Sequence, residues 1–136
     1  MSALRIAALS GVVVQLILAA TNNKRLLLLA QQSYYEELLE AGVRIALYQP
    51  HFMHAKHLSV DDSVALVSSI NLDIRSFALN AELGLLCYDP AVVAQLRRIE
   101  AHCLADAEHL DAAAWRQRPH WRRSLSGIAR LADSFL

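Results

Sequence analysis

Glycine, proline and cysteine are all scarce in this chain of 136 residues, at four, three and two copies respectively. Four glycines leave little material for a loop of backbone amides around a nucleotide phosphate, and the sequence contains no such motif. The two cysteines, Cys87 and Cys103, lack the spacing of a zinc site or a redox pair. Each lies in an apolar or helical run and reads as a reduced, partly buried thiol. An excess of one charge is missing too. Lys plus Arg and Asp plus Glu number 13 each, so no whole-chain field favours nucleic acid, and no nucleic-acid partner is expected. Also lacking is an apolar run long enough to cross a bilayer as a helix. The nearest candidate, after Arg5, is interrupted by Ser10-Gly11 and by Gln15 before it ends at Ala20. It could pass for a secretory leader, but a short helix over 3–9 followed by a buried strand over 12–18 describes it better.

What is plentiful is apolar surface. Hydrophobic residues make up 55% of the chain and charged residues 19%, the balance of a compact fold with a core. The length suits one modest domain. Thr21-Asn22-Asn23 offers a helix cap, and apolar residues at helical spacing predict a helix over 24–41, closed by Gly42. A strand is expected over 43–48. Two more, over 53–60 and 63–68, would be joined by a turn at Asp61-Asp62. A strand over 82–88 ends at Asp89-Pro90, a helix follows over 91–107, and two short helices fill the region from Asp111 onward. This order predicts an α/β fold, a mixed sheet flanked by helices.

The chemistry is concentrated in His54, Lys56, Asp61, Ser69, Asn71 and Glu82. If 53–60 is a strand, His54 and Lys56 share a face, two residues apart. An imidazole beside an ammonium packs poorly in a core but makes a good anion site. Ser69 and Asn71 follow the facing strand, where a hydroxyl and an amide could hold phosphoryl oxygens. Such a site needs fixed donors for developing negative charge, and neither a metal nor another cofactor is expected. His51 and His57 suggest a metal site at first sight, but strand parity turns both away from His54 and leaves them as surface or supporting residues.

The pattern His54-Ala55-Lys56, four residues, Asp61, six residues, Ser68-Ser69-Ile70-Asn71 resembles the HKD motif of the phospholipase D superfamily. The stretches SYYEELLEAGVRI (33–45) and NLDIRSF (71–77), with Leu79-Asn80-Ala81-Glu82, are similar to the C-terminal half of bacterial cardiolipin synthases. The resemblance covers nearly the whole chain. It implies a single phospholipase D-like domain over 1–136, truncated ahead of its first strands and carrying one HKD motif. It further implies that His54 is a catalytic nucleophile or general acid, that Lys56, Ser69 and Asn71 bind phosphate, and that Glu82 orients an imidazole. Asp61 matches the catalytic motif's aspartate, though a place in the hairpin turn suits support of the loop. The implied activity is transfer of a phosphatidyl group between phosphatidylglycerol molecules. The implied seat is peripheral, on the cytoplasmic membrane of a bacterium. A second motif would come from a homodimer or from a partner N-terminal half.

Two departures from that family's pattern stand out. Ser68 replaces the glycine usual before the motif's serine, which predicts a tighter pocket or a strained backbone. Asn22-Asn23-Lys24 stands where synthases usually have an acidic residue. Asp73 and Arg75 could form a loop ion pair. Arg116, Arg118, Arg122, Arg123 and Arg130, together with Trp115 and Trp121, suit either a solvated helix face or an anionic bilayer surface. The rival readings of the whole chain are a catalytically silent fragment that acts by association, and a homodimeric one-motif phosphodiesterase or nuclease.

Overall fold

A computed structural model describes residues 2–21, 25–51, 53–70 and 81–119. They fall into two compact units, one drawn from Met1–Phe52 and Ala107–Leu136, the other from Met53–Asp106.

The first unit opens with helix α1 (Ser2–Leu9), strand β1 (Gln15–Ala19), helices α2 (Arg25–Gln32) and α3 (Tyr35–Glu40), and strand β2 (Arg44–Tyr48). Both α1 and α3 end in the same device. Gly11 and Gly42 each have φ of 90°, a conformation open to glycine at no steric cost. The amide of Gly42 donates to Leu39 and that of Val43 to Leu38, a Schellman end repeated at Gly11 and Val12 with Ala8 and Ala7 as acceptors. Val43 and Leu38, joined by that turn, meet again in the core.

β1 and β2 pair in parallel, from Gln15 opposite Arg44 to Ala19 opposite Tyr48. β6 (Ala107–His109) adds antiparallel to β2, giving a mixed sheet of order β1-β2-β6. Helix α5 (Ala112–Arg116) follows, with Asp111 as its cap, accepting from Ala114 N at 2.7 Å. Tyr35, Leu38, Val43 and Ile45 form the buried centre, with Leu4, Ala8, Leu16, Leu18, Leu110 and Trp115 around them.

The second unit is a three-stranded antiparallel sheet, β3 (His57–Val60), β4 (Val64–Ser68) and β5 (Gly84–Cys87), in that order. Helix α4 (Pro90–Ala105) lies over β3 and β4 and buries Val93; Asp89 caps it by accepting from Ala91 N at 2.8 Å.

The α/β class and the flanked mixed sheet match the sequence-based expectation, while several boundaries differ. The helix expected over 24–41 is two helices. Ser33 Oγ bonds back to the Ala30 carbonyl at 2.6 Å and competes with the ladder where it breaks. The helix expected over 91–107 stops at Ala105, because Ala107 enters β6, a strand too short and polar to read from sequence. β1 and β3 begin three and four residues later than expected, and β5 begins two later. Of the two helices expected after Asp111, α5 is one; the other lies outside the described residues.

Candidate active site

His54 and Lys56 lie in the segment that leads into β3, not in the strand itself. The ladder nonetheless reaches Lys56, whose carbonyl accepts from Ser68 N at 2.9 Å, one step beyond the His57–Val67 pair. Lys56 Nζ lies 2.9 Å from His54 Nε2 and 3.1 Å from the His54 carbonyl. An ammonium has only donors, so with Lys56 charged this contact has the ring nitrogen as acceptor, the arrangement of an Nδ1–H imidazole. The expected proximity of the two side chains is therefore present without a regular strand. Two of the three Lys56 donors go to His54, and Lys56 makes no ion pair among the described residues.

Ser69 follows β4 directly, at the end of the hairpin where Lys56 lies. Its amide donates to the Leu83 carbonyl at 2.9 Å, and its oxygen accepts from Leu83 N at 3.0 Å. The Ser69 hydroxyl donates to the Glu82 carboxylate. Serine and glutamate, both singled out from sequence, are thus brought together by the continuation of the β4–β5 pairing beyond Ser68 opposite Gly84. The strain expected at Ser68 is not found, since Asp61 alone among the described non-glycine residues has positive φ. Gly84 across the ladder supplies room: a Cβ there would sit 3.1 Å from Leu66 Cδ1 and 3.7 Å from Ser68 Cβ.

Asp61 occupies the β3–β4 turn with φ of 50° and is exposed, at the opposite end of the hairpin from Lys56 and Ser68. Asn71, the Asn22-Asn23-Lys24 segment, and Asp73 with Arg75 lie outside the described residues, as do Trp121, Arg122, Arg123 and Arg130. His51 is exposed, and His57 is sheltered beside Glu100 at 3.1 Å. Among the described residues no group of three or more His, Cys, Asp or Glu side chains is arranged to hold a metal ion.

Trp115 has partners on two sides. Its ring packs on Tyr35 with centroids 5.3 Å apart, and the Arg118 guanidinium lies over it at 3.0 Å. It is half-buried in the surround of the first unit's core. Arg116 is also engaged, 3.5 Å from Glu40. Burial pushes the Tyr35 phenol well above its ordinary range, with Arg118 pulling weakly the other way. Among the described residues no helix is long and apolar enough to cross a membrane.

Comparison with known proteins narrows the assignment. The family described as "Cardiolipin synthase, PLD-like domain" matches residues 1–103. Cardiolipin synthase A of Serratia proteamaculans is 37% identical over 117 residues, 86% of this chain and 24% of that protein. The cardiolipin synthase of Alkalihalophilus pseudofirmus is 35% identical over the full 136 residues, 27% of its own length. The major cardiolipin synthase of Bacillus subtilis is 34% identical over the same span, 28% of its length. The chain therefore spans about a quarter of the length of the curated relatives it matches. No solved structure matches it. A motif at fixed offsets, a fold that clusters most of its residues at one end of a hairpin, and a family match over most of the length agree: the chain belongs to the phospholipase D-like domain family of the cardiolipin synthases.

Proposed function

We propose that this chain supplies half of a phosphatidyltransferase site, moving a phosphatidyl group from one phosphatidylglycerol to another. The observation that carries this reading is the grouping of His54, Lys56, Ser69 and Glu82 around the Lys56–Ser68 end of one antiparallel hairpin. Lys56 and Ser69, with Asn71, hold the phosphodiester oxygens. His54 Nε2 attacks phosphorus and the bond to the glycerol oxygen breaks. That oxygen takes its proton from the histidine of a second HKD motif, and glycerol leaves. The hydroxyl of the second lipid then gives its proton to the same histidine and attacks the phosphohistidine, which returns His54 to its starting state. Glu82 holds the Ser69 hydroxyl hydrogen in the idle site, that hydrogen turns to a phosphodiester oxygen when substrate binds, and Glu82 belongs with the residues that orient an imidazole. Asp61 shapes the hairpin turn and takes no part in the chemistry at the other end.

One chain carries one HKD motif, so the second comes from another copy or from the N-terminal half of the relatives' architecture. A lipid substrate gives the protein a peripheral seat on the bacterial cytoplasmic membrane.

The test is incubation of the chain with phosphatidylglycerol vesicles, alone and with a protein carrying a first HKD half, followed by assay of cardiolipin, glycerol and acid-labile histidine phosphate. Product formation with a phosphohistidine that disappears in His54→Asn is the expected result. Hydrolysis of a soluble phosphodiester with no lipid transfer would favour the one-motif phosphodiesterase reading. Transfer that persists unchanged in His54→Asn would remove the proposal.

A further inference from the structure

The opposite face of β3 carries a second polar cluster that the proposed chemistry leaves unused. Alternation along the extended chain puts His57 and Ser59 on one face, with Lys56, the next ladder position, on the other. Glu100, on the buried side of α4, gathers the first group. One of its carboxylate oxygens lies 3.1 Å from His57 Nε2 and 2.7 Å from Ser59 Oγ. The other accepts from Arg97 Nη1 at 3.0 Å and lies 2.8 Å from the same serine oxygen, whose single hydrogen is shared between the two. Only 13% of the Glu100 side chain and 17% of the His57 side chain remain exposed. A carboxylate this sheltered is costly to bury without partners, and here each oxygen faces two donors. Arg97 also approaches Asp62 at 3.5 Å, but both groups are well exposed and that contact adds little.

The position of the cluster gives it significance. Among the described residues β3 pairs only with β4, so it is an edge strand held by hydrogen bonds along one side. Its ladder ends at Lys56, and His54 lies two residues farther on. An edge strand has backbone hydrogen bonds on one side alone to resist a roll about its axis, and such a roll would swing His54 and Lys56. His57 is the residue directly after Lys56, and Glu100 fastens it from beneath. We propose that Glu100 is a positioning residue: through His57 and Ser59 it stops β3 from rolling on α4 and so fixes the direction in which His54 and Lys56 are presented. The role of that direction in turnover rests on the phosphatidyltransferase reading above; the effect on His54 does not. A clamp that served stability alone would change the melting point and leave the state of the His54 ring untouched.

The ring can be read directly. Long-range ¹H–¹⁵N spectra of the full chain, labelled at histidine and assigned with His54→Asn, report which ring nitrogen carries the proton. Spectra and transfer kinetics are compared for wild type, Glu100→Leu, His57→Leu and His57→Gln, whose amide donor reaches the place of Nε2. Wild type should show the Nδ1–H form of His54. Both leucine variants should move that ring toward a mixture of tautomers and lower kcat by roughly ten- to hundredfold with KM little changed. His57→Gln should keep the wild-type spectrum and rate. Should Glu100→Leu fail to fold, His57→Leu decides. An unchanged His54 spectrum in the folded leucine variants overturns the proposal whatever their melting points, and so does a glutamine variant as disturbed as the leucine one. If wild type proves inactive both alone and with a protein carrying a first HKD half, the transfer reading fails, yet the spectra still decide for or against the clamp because they need no substrate.

Discussion

The two units are held together by opposite means. The first closes Tyr35, Leu38, Val43 and Ile45 into one apolar cluster, each no more than 2% exposed. The second, among its described residues, fully buries only Ala65 and Val93 of its hydrophobic side chains. It leaves Leu58, Val60, Leu85, Leu86 and Tyr88 exposed and relies on a sheltered carboxylate ringed by imidazole, hydroxyl and guanidinium. The candidate chemistry belongs to the unit with the smaller core. Phosphate-binding side chains must stay polar and reachable, and residues committed to that cannot also close a dry interior. Directional hydrogen bonds then do what dense packing does next door, and they define geometry better than they add stability.

This contrast can be broken by substitution. The largest effect is expected at His54. His54→Asn should lower transfer by about a thousandfold or more while leaving the melting point almost unchanged, since an exposed side chain adds little to stability. Parallel kinetics and melts check this, and a collapse of both together would mean that the site also holds the unit together. Ile45→Ala should do the reverse. Removing that buried side chain should cost about 2–5 kcal/mol in urea unfolding, with the kcat of the folded fraction preserved.

The smallest effect has the opposite sign. The Tyr35 hydroxyl is buried with no hydrogen-bond partner among the described residues, so Tyr35→Phe should raise stability by roughly 1 kcal/mol. It should also change the response to alkali. Because burial raises the folded-state pKa of this phenol above its unfolded value of 10.0, the stability linked to it is fully present below pH 10 and is lost as the pH rises toward the folded-state value. Unfolding midpoints measured on both sides of pH 10 should fall less steeply in Tyr35→Phe than in wild type.

Much of the candidate site was legible in the sequence because it depends on residue identity at fixed offsets. His54, Lys56 and Ser69 stand out wherever the strands begin, and the Asp61-Asp62 turn announced the hairpin that unites them. Gly42 and Asp89-Pro90 marked real helix ends for reasons local to a few residues. What stayed hidden depends on contacts distant in sequence. Glu100 lies on a helix where a glutamate would ordinarily face water, and only the crossing of α4 over β3 turns it inward. His57 was set aside by strand parity, which gave its face correctly but not the partner waiting there. Trp115 among arginines suggested a bilayer, and nothing local reveals that Tyr35, 80 positions earlier, supplies its surroundings. The break at Ser33 escaped apolar periodicity because a hydroxyl bond to a backbone carbonyl leaves no hydrophobic trace.

The contact between Lys56 and His54 has a consequence for the idle site under the proposed chemistry. With the ammonium seated on Nε2, the lone pair that would attack phosphorus is already engaged, so the resting nucleophile is latched against stray electrophiles. An uncharged ester has no means of drawing the ammonium away. A phosphodiester anion does, because its oxygens are better partners for that charge than a neutral ring nitrogen. The substrate that needs the nucleophile is then also the key that releases it, and recognition and arming become a single event.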